Sequence, residues 1–338
     1  MNILFTCAGR RNYLIEYFQK ALNGSGNIIA TDMQLSAPAM AVADKSYQVS
    51  EVYAEHYIDE IIDICKKENI QAVFSLNDLE LPILSNARTR FIKQGIKLMV
   101  SSSEVIDICF DKYKTHEFLL KIGLNSPDTY IEEDKASNAI HDNKLTFPFV
   151  LKPRWGSASI GIYFPKNMEQ FNIMEKLAKL QIKDSILLRA SNNDIDRALL
   201  YQEKINGIEF GLDIINDLEG KYITTIVKQK LGMRAGETDK AVVVENEYIK
   251  ELGEGIGTSL KHIGNLDCDV FYNGKDYYVL EMNPRLGGGF PFSYEAGVDL
   301  PSVIIKWLNK EPVDINLLKP QKNIAFAKCD KLIKIQTE

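Results

Sequence analysis

Apolar and polar positions along the first 105 residues fall in blocks whose period switches back and forth. Asn2–Cys7 is a short apolar run, broken by Ala8-Gly9-Arg10-Arg11. Leu14, Ile15, Phe18 and Leu22 then recur at helical spacing, which predicts a helix over Tyr13–Leu22. Ile28–Thr31, Ala72–Leu76 and Lys97–Val100 read as strands, and Tyr57–Glu68 and the stretch near Pro82–Gln94 as helices. This alternation predicts a parallel sheet with helices on both faces. Such sheets bind ligands beyond the carboxyl ends of their strands. Three loops fall there: Ala8–Arg11, Asp32–Ser36 and Asn77–Glu80.

The pattern then changes. Ser101–Lys121 reads as a pair of helices with Ser103 as a cap, ended by Gly123 and Pro127. Phe149–Lys152 is an apolar strand interrupted by Pro153. A loop, Trp155-Gly-Ser-Ala-Ser-Ile-Gly161, separates it from a strand that resumes over Ile162–Phe164. Glu169–Leu180 and Tyr248–Leu260 look helical. Between Ile186 and Val244 the strands are longer, and a polar insert, Lys228–Lys240, stands between two of them. Cys268–Tyr272 and Tyr277–Glu281 form a hairpin around the turn dipeptide Asn273-Gly274. Residues beyond about Lys310 read as a short terminal extension.

A chain of 338 residues is too long for one compact core, so two or three packed units are expected. The net charge of −6 argues against a nucleic-acid binder, which needs a basic face. The five cysteines are scattered without metal-ligand spacing, as buried thiols of a reducing compartment would be. The opening MNILFTCAGRR is charged too early for a signal peptide, and no apolar run reaches membrane-spanning length. A cytoplasmic protein is the expectation.

The strongest chemical signal is Glu281-Met-Asn283-Pro-Arg285. Alternate residues of a strand share a face, so Glu281 and Asn283 point the same way. Asp269 lies across the hairpin. Two carboxylates and an amide oxygen suit magnesium, and Arg285 suits phosphoryl or carboxylate oxygens. Lys152, at a strand end before a loop of small residues, suits a nucleotide phosphate, although a plain turn between strands accounts better for that segment taken alone. Tyr201–Glu209 presents extended backbone and two acids, again open to a bland strand–turn–strand reading. The Lys228–Lys240 insert, with Arg234, is either a solvated loop or a mobile flap carrying positive charge to a phosphoryl group. The four histidines show no ligand spacing, and no Ser-His-Asp or Cys-His arrangement emerges.

Taken in order, Lys112, Lys152 with its loop, Glu203–Ile205, Glu209, Asp269 and Glu281-x-Asn283-Pro-Arg285 resemble the ATP-grasp superfamily. More narrowly, the chain is similar to stand-alone carbamoyl phosphate synthase-like ligases through AGRR, DKYKTHEFL, FPFVLKPRWGSASIGI, RAGET and LEMNPRLGGGFPFSY. One such unit is present where the synthetase uses two. The resemblance implies a Rossmann-like, parallel-sheet pre-ATP-grasp domain over residues 1–105, mixed α/β and α+β overall. A two-lobed ATP-grasp domain would follow over 106–310, with a small lobe near 125–200, a large lobe near 201–310, and the extension 311–338.

The resemblance also implies site roles. Lys112, Lys152, Ser157 and Ser159 would contact ATP phosphates. Glu203 and the backbone of Lys204 and Ile205 would hold adenine, and Glu209 ribose. Asp269, Glu281 and Asn283 would bind Mg2+, with Mn2+ as a substitute. Arg285, Lys152 and Arg234 would be the catalytic cations. The implied activity is ligation of a small acid, such as an amino acid, to an amine through an acyl phosphate, with a homodimer as the expected assembly. An acyl-phosphate-forming kinase and a silent nucleotide-binding protein are the alternatives.

Overall fold

A computed structural model of the chain describes residues 1–156 and 161–335. The first domain is a parallel sheet in the order β3-β2-β1-β4-β5, from β1 (Asn2–Thr6), β2 (Ile28–Asp32), β3 (Lys45–Gln48), β4 (Ile70–Ser75) and β5 (Lys97–Leu98). Its central strands β1, β2 and β4 are largely apolar on both sides because helices cover both faces. Ile3 and Phe5 pack with Leu14, Ile15 and Phe18 of helix Asn12–Leu22. Leu4 and Val73 pack with Tyr57, Ile58 and Ile61 of helix Tyr57–Lys67.

Local chemistry moves several boundaries. The helix expected near Pro82–Gln94 is two, Leu81–Asn86 and Arg88–Ile92. In the helix pair, Ser102 rather than Ser103 is the cap, accepting from Val105 N at 3.4 Å. The pair breaks at Asp111, whose carboxylate caps helix Lys112–Lys121 by accepting from Tyr113 N and Lys114 N.

A small antiparallel sheet follows, in the order β6-β8-β7, from β6 (Thr129–Tyr130), β7 (Val150–Pro153) and β8 (Leu199–Gln202). Helix Met168–Lys183 covers it through Phe171, Ala178 and Ile182. The strand expected at Ile162–Phe164 reduces to one bridge, Tyr163 to Leu151. The residues after Ile186 first form a helix, Leu187–Ser191, and a 3-10 turn, Asn192–Arg197, so the long strands begin later than the sequence reading placed them.

The large antiparallel sheet has the order β13-β12-β9-β10-β11-β14: β9 (Ile208–Asn216), β10 (Tyr222–Arg234), β11 (Glu237–Val244), β12 (Gly264–Tyr272), β13 (Tyr277–Asn283) and β14 (Ile324–Ala327). Two expectations are corrected here. The Lys228–Lys240 insert is no loop: β10 and β11 run through it and meet at a two-residue turn, with Arg234 opposite Glu237. Ala235 and Gly236 both have positive φ, 50° and 79°, as a tight hairpin turn of this hand requires. The C-terminal stretch is no mere appendage, because β14 pairs with β11 from Ile324 opposite Val243 to Ala327 opposite Lys240. One face of this sheet packs on helix Glu247–Leu260 through Leu212, Ile214, Val227 and Leu266.

Candidate active site

The other face of the large sheet is where charge collects. Asp213 on β9, Lys228 and Lys230 on β10, Asp267 and Asp269 on β12, and Glu281 and Asn283 on β13 alternate with the apolar residues that pack on the helix. Register sets their neighbours. Asp269 stands directly opposite Glu281, and Asp267 opposite Asn283. Asn283 donates from Nδ2 to Glu281 Oε1 at 3.0 Å.

Two lysines face this set from the preceding elements. Lys152, on β7, is buried, and burial lowers its pKa to about 8 against the fields of Glu281 and Asp269; Lys112 adds to the lowering. Lys112 donates to Gly156 O at 2.5 Å. Its place is fixed by Arg154, which grips the capping Asp111 at 2.8 and 2.7 Å and returns its own carbonyl to Lys112 N. Burial would raise the Glu281 pKa, but Lys112, Lys152 and the Asn283 hydrogen bond hold it below the usual value. Asp269 goes the other way, raised to about 6, mainly by burial and further by Asp267 and Glu209. Lys230 opposes that rise, lying 2.7 Å from Asp269 and 2.6 Å from Glu209.

Deeper on the same face, Lys228 and Asp213 form a fully buried ion pair. Asp213 also accepts from Ser293 Oγ at 2.5 Å and Asn265 Nδ2 at 3.1 Å. Arg285 lies between two acids, with Nη1 on Asp267 at 3.1 Å and Nη2 on Asp78 of the first domain at 2.8 Å. Those acids raise its pKa although burial opposes them. Gly287 must lack a side chain, since a Cβ there would meet the Asp267 carboxyl at 2.1–2.4 Å. Two clefts flank Pro284. One, of about 260 Å³, is lined by Asp78, Lys112, Gly156 and Asn283; the other, of about 350 Å³, by Ser75, Asn265 and Arg285.

The segment Glu203-Lys204-Ile205 links the small sheet to the large one between β8 and β9. Glu203 N donates to Asp128 O at 2.8 Å. Among the described residues, no backbone hydrogen bond is made by Lys204 or Ile205.

The structure thus brings Asp269, Glu281, Lys152 and Lys112 within electrostatic reach of one another, with Asn283 bonded to Glu281 and Glu209 beside Asp269; Lys112 and Asn283 line the cleft on one side of Pro284, and Arg285 the cleft on the other. Arg234 is not among them: it sits half-exposed at the hairpin tip, 2.9 Å from Asp239 and 3.0 Å from Asp330. Its charge is taken by the outer end of the hairpin and the C-terminal segment, so the sequence-based role in phosphoryl transfer is not supported by its placement. Ser157 and Ser159 lie outside the described residues. Sequence reasoning missed Asp213 and Asp267, and it singled out the Asn77–Glu80 loop and the Lys228–Lys240 insert without naming a role for Asp78 or Lys228 in them. Period-two alternation carried through 209–213, 226–230 and 265–269 was the signal for Asp213, Lys228 and Asp267.

As a metal cradle, the set is two carboxylates and one amide. Among the described residues, no group of three or more His, Cys, Asp and Glu side chains forms a ligand cluster. Two carboxylates and an amide still match the oxygen donors magnesium prefers. The raised Asp269, crowded by Glu209 and Asp267, has the electrostatic state that a divalent cation relieves. No helix of the described residues is long and apolar enough to cross a membrane.

Comparison with known proteins agrees with this fold. Residues 3–99 match the PylC-like N-terminal domain, and residues 109–289 match the ATP-grasp domain. The carbamoyl phosphate synthase large chain of Thermoanaerobacter sp. (strain X514) is 23% identical over 280 residues, 80% of this chain and 24% of that protein. The chain therefore spans about a quarter of the length of this curated relative. Biotin carboxylase from Campylobacter jejuni superposes with a TM-score of 0.73 at 16% identity, covering 94% of this chain and 73% of that one. An L-amino acid ligase from Bacillus licheniformis gives 0.68 at 17%, covering 95% and 76%. At these identities the structural likeness speaks to the fold.

Proposed function

The chain belongs to the ATP-grasp family, and from that premise we propose that it is an ATP- and magnesium-dependent ligase that activates a carboxylate as an acyl phosphate and joins it to an amine. The observation that carries the reading is the register of β12 and β13, which sets Asp269 against Glu281 with Asn283 beside it, facing buried Lys152.

A free carboxylate resists attack by an amine, because oxide is too poor a leaving group. Phosphorylation changes that oxygen into one that leaves. In the first step a carboxylate oxygen bonds to the γ-phosphorus of ATP and the bond to ADP breaks. In the second, the amine nitrogen bonds to the acyl carbon and phosphate departs. Asp269, Glu281 and Asn283 would hold magnesium, which when bound neutralises charge on the phosphate oxygens. This chain's own cations do the rest. Lys152 from the small lobe and Lys112 from the start of helix Lys112–Lys121 would face Glu281 and Asp269, and Arg285 would meet the transferring group from the end of the β13 strand. Their charge is fixed in place before reaction, so little reorganisation is needed as charge moves onto the phosphoryl group. Glu203 and the unsatisfied backbone of Lys204 and Ile205 would take the adenine edge, and Glu209 the ribose hydroxyls. No protein nucleophile is required.

An amino acid as the acid partner fits a face bearing both signs of charge. A screen of amino acids and other small acids against amines, scored by phosphate release from ATP, tests the reading. Glu281→Ala should lower the release found by at least about 100-fold. Equal release from that variant would place the activity elsewhere.

A further inference from the structure

We propose that Asp78, from the first domain, is the positioning residue that sets the guanidinium of Arg285, so that the first domain completes the phosphoryl site. The proposal rests on the reading of Arg285 as the cation that meets the transferring group. Asp78 and Arg285 are 207 residues apart, both nine-tenths buried, and paired at 2.8 Å. Asp267 holds the other terminal nitrogen at 3.1 Å. Two carboxylates on two different nitrogens fix both the position and the plane of a guanidinium; one alone leaves it free to swing. Among the described residues, Arg285 Nε is buried without a partner.

The loop that presents Asp78 is itself built to hold still. Two residues on, Glu80 is fully buried and accepts from three hydroxyls: Thr6 on β1 at 2.7 Å, Ser75 on β4 at 2.6 Å, and Tyr57 at 2.6 Å. Asn77 Oδ1 accepts from Leu79 N at 3.0 Å. The carboxyl end of β4 is thus pinned to its neighbours while Asp78 projects toward Arg285. Burying this ion pair is costly, and a tether between domains would not need it.

The test uses the full chain. With arginine labelled in 15N and the Arg285 signals assigned through Arg285→Lys, the wild type should show two resolved Nη signals, as a guanidinium held on both sides does. Asp78→Asn should merge them into one averaged signal. In the phosphate-release assay, its kcat should fall about 100-fold with KM for ATP little changed, the size a small misplacement produces. Asp78→Glu, which keeps the charge but lengthens the reach, supplies the same two readouts should Asp78→Asn fail to fold, and should restore part of kcat. Unchanged Nη signals and undiminished kcat in the variant that folds would overturn the proposal. Arg285→Ala separates the two layers. If it is inactive while Asp78→Asn is fully active, only the positioning role is lost; if Arg285→Ala is itself fully active, the reading of Arg285 falls, and the proposal with it.

Discussion

The large sheet has two faces, drawn from the same strands one residue apart. Toward helix Glu247–Leu260 it shows Phe210, Leu212, Ile214, Val227, Leu266, Cys268 and Val270, all buried and all apolar. Toward the cleft it shows Glu209, Asp213, Lys228, Lys230, Asp267, Asp269 and Glu281. The first face is held by burial, which is non-directional and tolerates exchange of like volumes. The second also buries Ile215, Ile226 and Val243 against Leu286, Phe290 and Leu300, but its charged part is held by ion pairs and hydrogen bonds, each of which needs its partner. The apolar face supplies stability; the charged face spends some of it to keep cations and carboxylates close together and partly dry.

That contrast is open to attack by substitution. The largest effect should come from Lys228→Met, which leaves Asp213 buried without its cation; unfolding free energy should drop by about 3–5 kcal/mol in urea titration. A loss below that of an ordinary core exchange would mean that the charged face is not what its burial implies.

Next comes an acid effect. His262 is fully buried beside the apolar face, bonded to Ile214 O at 3.0 Å, and burial lowers its pKa from 6.5 to about 4. The unfolded chain takes up a proton below about 6.5 that the folded chain refuses until about 4. Stability should therefore fall as pH drops through that window, by on the order of 3 kcal/mol. His262→Gln should flatten that slope in pH-dependent denaturation.

On the apolar face, Gly253→Ala brings a Cβ within 2.3 Å of Thr225 Oγ1, between helix and sheet. Overpacking of this kind should cost about 1–3 kcal/mol, and Thr225→Ala in the same chain should recover part of it. The smallest effect belongs to Arg234→Ala. Its ion pairs lie at the exposed hairpin tip, so melting should shift by less than about 1 kcal/mol and phosphate release should stay near wild type.

The first domain was legible because parallel strands buried on both sides read as unbroken apolar runs, as Ile3–Phe5 and Ala72–Phe74 do. The β12–β13 hairpin was legible for a different reason: Asn273-Gly274 marks the turn, and the alternation of Glu281 and Asn283 survives on either side of Met282. The same rule applied to Thr225–Lys230 should have shown a strand. It failed there because charged residues on a strand resemble a solvated loop when the charged face is turned inward. Lys228 is the clearest case, since its partner Asp213 is 15 residues away and reaches it only by the pairing of β9 with β10. Asp78 was hidden for a similar reason: its partner is 207 residues on, in another domain. Contacts set by register or by domain packing leave no local trace. β14 was missed as a four-residue edge strand, too short for its period to stand out.

The central claim is that the charged face binds a nucleotide through a divalent cation held by Asp269, Glu281 and Asn283. Calorimetric titration with ADP, with and without magnesium, on wild type and Glu281→Gln, addresses it without knowledge of either substrate. The account predicts that magnesium tightens ADP binding at least about tenfold in the wild type, roughly 1.4 kcal/mol, and that this gain disappears in Glu281→Gln. ADP bound equally well with or without magnesium, or a magnesium gain that survives the substitution, would contradict it.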